Sequence, residues 1–171
     1  VARQLARLLE PFACRVSARS PGVPDEFFAL AGVRRQDSLE QLFASNDVIV
    51  ELEALTPQTV GLVGESLLRL IKPGGVFVNV GRGPVVDEAA LIRVALEGHI
   101  QIGLDVYAHE PLAPDSPLRG LENVFLAPHQ AGPTVDRRPA CGARAFENIR
   151  AYRTGRAVRD VIGLVEYDRM T

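Results

Sequence analysis

The chain has 171 residues, 47% of them hydrophobic and 23% charged, with no tryptophan. That is enough for one sizeable core of ordinary globular composition. A net charge of −2 at pH 7 gives no electrostatic footprint for nucleic acid or an anionic membrane, and no apolar run approaches the roughly 20 residues of a membrane span.

No stretch resembles a secretory signal, so a cytoplasmic location is the expectation. Cys14 and Cys141 are far apart and lack metal-type spacing, so two buried or half-buried free thiols are expected, with no disulfide and no metal site. The chain opens on Val1 and its single methionine is Met170, which reads as a piece or a processed form of something longer.

Residues 1–10 place alanine and leucine at helical spacing without a start signal of their own. Pro11-Phe12-Ala13 breaks that helix. Cys14-Arg15-Val16-Ser17-Ala18 reads as a short strand ending in the turn Arg19-Ser20-Pro21-Gly22. A short helix is expected over residues 25–30. Ser38 with Gln41 three residues on is a capping box, opening a helix to about residue 44. Residues 47–52 form the next strand. Thr56-Pro57 reads as a cap followed by proline at the first helical position, and a further helix covers residues 65–71.

Residues 76–80 are an apolar run of the kind found inside parallel sheets, preceded by the turn Lys72-Pro73-Gly74-Gly75. The run ends on Gly81-Arg82-Gly83, whose glycines would let the backbone approach a ligand. Asp87 caps a helix that runs to Glu97 and stops at Gly98. Strands follow at residues 100–106 and 123–127. Gly132-Pro133-Thr134 leads into a long helix reaching about residue 153, with Pro139 in its second turn, so a kink or a late start is expected.

Strands alternating with helices predict an α/β fold built on a doubly wound parallel sheet. Ligands of such sheets bind outside the carboxyl ends of the strands. Arg82, Glu110 and His129 each stand just past a predicted strand, at that end.

Five segments carry a family resemblance: Leu55-Thr56-Pro57-Gln58-Thr59, Ile71-Lys72-Pro73-Gly74-Gly75, Asn79-Val80-Gly81-Arg82-Gly83-Pro84-Val85-Val86-Asp87-Glu88, Gly103-Leu104-Asp105-Val106-Tyr107-Ala108-His109-Glu110-Pro111-Leu112 and Leu126-Ala127-Pro128-His129-Gln130-Ala131-Gly132. In this order and spacing they resemble the D-isomer-specific 2-hydroxyacid dehydrogenases over nearly the whole chain. The resemblance implies a Rossmann-type NAD(P)-binding domain, incomplete at its amino terminus. No G-x-G-x-x-G occurs in the sequence, and the glycine-rich turn, the first strand and the substrate domain would precede Val1. Residues 1–132 would be the partial dinucleotide-binding domain, and 133–171 a helix and tail returning to the substrate domain.

The reaction implied is reversible hydride transfer between NAD(P)H and a small 2-oxo or 2-hydroxy acid. A glyoxylate or hydroxypyruvate reductase, or a phosphoglycerate dehydrogenase-like enzyme, is expected, as a homodimer. Two other readings stay open: a nucleotide-sensing scaffold without turnover on the same fold, and an inactive gene fragment.

Arg82 matches the family's substrate arginine, whose planar fork holds a carboxylate and polarises the adjacent carbonyl. From the residues alone it could equally be a surface arginine tied to the preceding carbonyls. His129 matches the general acid/base, since an imidazole exchanges protons near neutral pH; a loop histidine satisfied by a backbone carbonyl is the plainer alternative. Glu110 matches the carboxylate that fixes the tautomer of this histidine and favours its charged form, against a solvated acid before Pro111. His109, beside it, reads as variable loop.

Asp105 matches the residue that hydrogen-bonds the nicotinamide carboxamide, the alternative being a cap for a following turn. Val80 and Gly81 would line the nicotinamide on one side, Ala131 and Gly132 on the other. Arg19 and Ser20 stand where an NAD-preferring member would usually place an acid for the ribose 2′-hydroxyl. An arginine welcomes a 2′-phosphate, so NADP is favoured over NAD, although a plain exposed turn arginine fits the same residues. Glu53 falls where many members carry a histidine-apolar-proline run, and would lie near the nicotinamide ribose.

Overall fold

A computed structural model describes residues 1–167. Four short strands, β3 (Val48–Glu51), β4 (Val76–Asn79), β5 (Gln101–Leu104) and β6 (Val124–Leu126), pair in that order into an all-parallel sheet. Upstream, β1 (Ser17–Ala18) and β2 (Arg34–Arg35) make a separate two-stranded parallel sheet. The helices are α1 (Ala2–Leu9), α2 (Asp25–Leu30), α3 (Leu39–Ser45), α4 (Glu65–Leu68), α5 (Glu88–Glu97), α6 (Arg138–Arg153) and α7 (Leu164–Tyr167). The expected α/β architecture with a parallel sheet is therefore observed.

Register explains the core. Ile49, Phe77 and Ile102 are neighbours across β3, β4 and β5, and two residues on Glu51, Asn79 and Leu104 are neighbours again. With the period of two, both rows point to one face, which packs against Phe43 of α3, Leu67 and Leu68 of α4, and Leu91 and Val94 of α5. Burying each such apolar side chain stabilises the fold by about 1.5–3 kcal/mol. The second row is the one nearest the carboxyl ends, and two of its members, Glu51 and Asn79, are polar yet buried.

Local signals set the best-defined boundaries. Asp87 accepts from the Ala90 N–H at 3.1 Å, opening α5, and Gly98 closes it in the left-handed region at φ 72°. Ser38 accepts from the Gln41 N–H at 3.2 Å to open α3, while its hydroxyl donates to Glu40. Pro139 sits in the first turn of α6, so the late-start alternative holds and its missing N–H costs no helical bond.

Several expectations are corrected. The 14–18 strand contracts to Ser17–Ala18, and β2 was not anticipated. Thr56-Pro57 opens no helix: the Thr59 hydroxyl donates to the Ala54 carbonyl at 2.7 Å and receives the Thr56 N–H, folding the segment into turns. The 65–71 helix keeps only Glu65–Leu68 before tightening into turns. Both cysteines are free, but exposed rather than buried. α6 has no buried residue and presents Phe146, Ile149 and Tyr152 to solvent. No helix among the described residues is long and apolar enough to cross a membrane. Residues 168–171 of the expected carboxyl-terminal tail lie outside the described residues.

Candidate active site

The chemistry-bearing residues gather on the segments that leave the carboxyl edge of the four-stranded sheet. After β4 the chain turns through Val80, Gly81 and Arg82. Asn79, only 1% exposed, supports this turn from below: its Oδ1 accepts from the Gly81 N–H at 3.0 Å and its Nδ2 donates to the Arg82 carbonyl at 3.3 Å. The Arg82 guanidinium is exposed and folds back, Nη1 donating to the Gly81 carbonyl at 2.8 Å. Among the described residues Nε and Nη2 hold no hydrogen bond.

The glycines beside Arg82 are required by the protein's own packing. A methyl group on Gly81 would overlap the Glu51 carboxyl, and one on Gly83 would overlap the Tyr107 backbone carbonyl. Gly83 thus lets the segment after β4 lie directly against the segment after β5.

Residues 105–110 organise the histidine loop. Asp105, 5% exposed, accepts from the Gln130 N–H with one oxygen and from the Ala131 N–H with the other, both at 2.8 Å. The Tyr107 hydroxyl, on a buried ring, lies 2.7 Å from the Ala127 carbonyl. These contacts bracket Pro128-His129, where His129 takes the left-handed conformation at φ 49°, uncommon outside glycine and costly unless surrounding bonds impose it.

Glu110 completes the arrangement. Its Oε2 lies 2.6 Å from His129 Nδ1, and its Oε1 accepts from the Tyr107 N–H at 3.2 Å. The bond to His129 is the main cause that holds the Glu110 carboxyl below its usual range, so it is ionised at neutral pH. An ionised carboxylate only accepts, which places the proton on Nδ1 and leaves Nε2 as the ring nitrogen free for chemistry. The pair borders an open cleft of about 440 Å³, lined also by Tyr107, Leu112, Arg119 and Leu126. Arg119 donates to the Leu112 and Ala113 carbonyls, pinning the loop that forms one wall.

The remaining candidates lie on other segments. Glu53 is half-buried on the exit from β3, its N–H donating to Glu51 and its own Oε1 accepting from the Ala54 N–H. Arg19 and Ser20 follow β1 on the separate two-stranded sheet. Arg19 spends only Nε, on the Asp37 carbonyl at 3.4 Å, and its terminal nitrogens hold no hydrogen bond among the described residues. Gly132 and its loop are exposed. His109 is exposed and takes no part in the Glu110–His129 pair.

The structure thus joins His129 to Glu110, and Asp105 to Ala131. Arg82 bonds to neither Glu110 nor His129. Their segments meet where the Gly83 Cα lies against the Tyr107 carbonyl. Three contributors escaped sequence reading: Asn79, the Tyr107 hydroxyl and Glu51. For Glu51 a signal existed, because an acid at an alternate position of an apolar strand is forced onto the covered face.

Comparison with known proteins identifies the family of the chain. The model of the family "D-isomer specific 2-hydroxyacid dehydrogenase, NAD binding domain" matches residues 1–131. A glyoxylate reductase from Aeropyrum pernix is 40% identical over 126 residues, 73% of this chain and 38% of the relative. A D-3-phosphoglycerate dehydrogenase from Archaeoglobus fulgidus is 35% identical over 162 residues, 94% of this chain and 31% of the relative. The chain therefore spans less than half the length of these curated relatives.

Among solved structures, the NADPH-dependent glyoxylate/hydroxypyruvate reductase of Sinorhizobium meliloti, in complex with NADP and malonate, superposes with TM-score 0.77 at 31% identity. The match covers 88% of this chain and 46% of that one. The apo form of Rhodotorula graminis D-mandelate dehydrogenase superposes with TM-score 0.83 at 25% identity, over 94% and 48%. By its parallel sheet, its ordered motifs and these matches, the chain belongs to the D-isomer-specific 2-hydroxyacid dehydrogenase family, in the NAD-binding domain.

Proposed function

We propose that this chain supplies the cofactor-binding part and the acid/base pair of a reductase that acts on small 2-oxo acids, with residues 133–171 returning toward a substrate domain. The observation that carries the reading is the 2.6 Å contact between His129 and an ionised Glu110 at the rim of a cleft. A histidine anchored through Nδ1–H turns Nε2 to the substrate: as the imidazolium it gives the Nε2 proton to a nascent alkoxide, and as the neutral ring it accepts a proton there in the reverse direction. Arg82 takes the substrate carboxylate with the two nitrogens that its bond to Gly81 leaves unused, aligning the carbonyl carbon. A 2-oxo acid offers these two groups, a carboxylate and an adjacent carbonyl.

The donor set suits a nicotinamide dinucleotide. Arg19 has unspent guanidinium nitrogens and Ser20 a hydroxyl for the adenosine end, which favours the 2′-phosphate of NADP over NAD. Val80, Gly81, Asp105, Ala131 and Gly132 would border the nicotinamide end, with Glu53 toward its ribose. Both Asp105 oxygens already accept backbone bonds, so a carboxamide contact there would use their second lone pairs. The cofactor, when bound, supplies the hydride. A homodimer is part of the same proposal, on family grounds.

The test is a panel of small 2-oxo acids offered to the full-length protein with each cofactor. We expect reduction of glyoxylate- or hydroxypyruvate-like acids, faster with NADPH than with NADH. No turnover with any acid would sink the functional reading; equal or reversed cofactor preference would sink only the role of Arg19.

A further inference from the structure

Glu51 stands apart from the acid/base pair and is chemically out of place. It ends β3 on the covered face, 7% exposed, in the register row shared with Asn79 and Leu104. An aliphatic side chain there would bury without penalty, whereas a carboxyl must find partners. One oxygen, Oε1, accepts from the Glu53 N–H at 2.5 Å. The other, Oε2, is enclosed and has no hydrogen-bonding partner among the described residues. Unmatched buried oxygens of this kind call for an explanation.

The surroundings supply one. The Glu51 carboxyl fills the space that Gly81 leaves by having no side chain. The Val80 N–H reaches the Glu51 carbonyl at 3.4 Å. Backbone and side chain of one residue therefore abut the turn that carries Arg82, which the Asn79 amide and the Val85 N–H also hold.

We propose that Glu51 is a positioning residue for Arg82: its neutral carboxyl seats the Val80–Arg82 turn, and its ionisation weakens the grip of that turn on a substrate carboxylate. This rests on the reading of Arg82 as the carboxylate anchor. Two effects act in the same direction. A negative charge behind the turn lowers the positive potential that Arg82 offers an anion. An ionised Oε2 also draws on the nearest donor, the Arg82 N–H of the turn itself, so the charge displaces the turn from the seat it has on the neutral carboxyl.

The charged and polar neighbours are few. Burial is the largest influence on the carboxyl and pushes it up to about 7; the backbone N–H groups of Glu53 and Arg82 partly offset this, and the Glu53 charge adds to it. The Arg82 N–H acts from within electrostatic reach without completing a hydrogen bond to Oε2. Asp105 follows β5, two strands away. By reciprocity, an anion at Arg82 makes Glu51 hold its proton more firmly.

The experiment compares wild type with Glu51→Gln in the full-length protein from pH 5.5 to 8.5. The wild-type KM for the 2-oxo acid should rise about fivefold across neutrality relative to the variant, which keeps the shape without the charge, while kcat follows one pH profile in both. Superimposable KM profiles would overturn the proposal. A second measurement needs neither turnover nor a folded variant: the backbone amide resonances of Gly81 and Arg82 should titrate with a midpoint near 7, and constant shifts would overturn it too. If Arg82→Gln leaves KM unchanged, the anchor reading fails instead, and the amide titration still decides whether Glu51 governs the turn.

Discussion

The loop carrying His129 and the turn carrying Arg82 leave the same edge of one sheet, yet they are held in opposite ways. The histidine loop is fixed by matched partners: both Asp105 oxygens, both Glu110 oxygens and the Tyr107 hydroxyl each engage a neighbour. The arginine turn is held by backbone bonds of Val80 to the Glu51 carbonyl and of Val85 to the Arg82 carbonyl, and its side-chain supports are one neutral amide and a carboxyl with an unmatched oxygen. The contrast suits the two tasks proposed for these residues. Proton delivery needs a nitrogen placed within hydrogen-bond reach of one atom, whereas a guanidinium can follow a carboxylate through several arrangements.

Removing the ring at the centre of the rigid side is the hardest blow to that contrast. His129→Ala should lower turnover about 10²–10⁴-fold while leaving KM for the acid nearly unchanged, and steady-state kinetics with wild-type turnover would refute the acid/base assignment. Next comes the clamp beneath it. Asp105→Ala removes the acceptor for two backbone N–H groups and should cost about 4 kcal/mol of stability, read by denaturant unfolding. A loss below about 1 kcal/mol would mean that the loop is held by something else.

The smallest effect sharpens the looser side. The folded Glu51 carboxyl, near 7, lies above its ordinary value of 4.5, so the native state binds the extra proton between those values. Its contribution is therefore fully present below about pH 4.5 and is lost as pH rises through 7, a decline of about 3 kcal/mol. Glu51→Gln should flatten the stability profile over that window; parallel profiles would show that the carboxyl reaches water.

Legibility in the sequence followed how local each determinant is. α5 could be read to the residue, because Asp87 and Gly98 act within one turn of its ends. The strands could be placed but not measured, since pairing with neighbours decides where each stops. β2 was invisible: two arginines carry no alternation, and only the partner β1 makes them a strand. Thr56-Pro57 carried a helix-start pattern, but the Thr59 hydroxyl took the bonds that a helix would have used. In the site, Arg82, Glu110 and His129 stand out through motif spacing, and at the exit from β3 the family pattern points to Glu53 rather than to Glu51. Which of the two acids is buried depends on register, a property of three strands together.

Gly83 gives the two sides a common ruler. Its bare Cα lies against the Tyr107 carbonyl, so the distance between the arginine turn and the histidine apparatus is set by main chain touching main chain. Side chains can drift at either end without altering that gauge. Adding a single carbon at residue 83 would widen it, moving two intact half-sites out of step with each other.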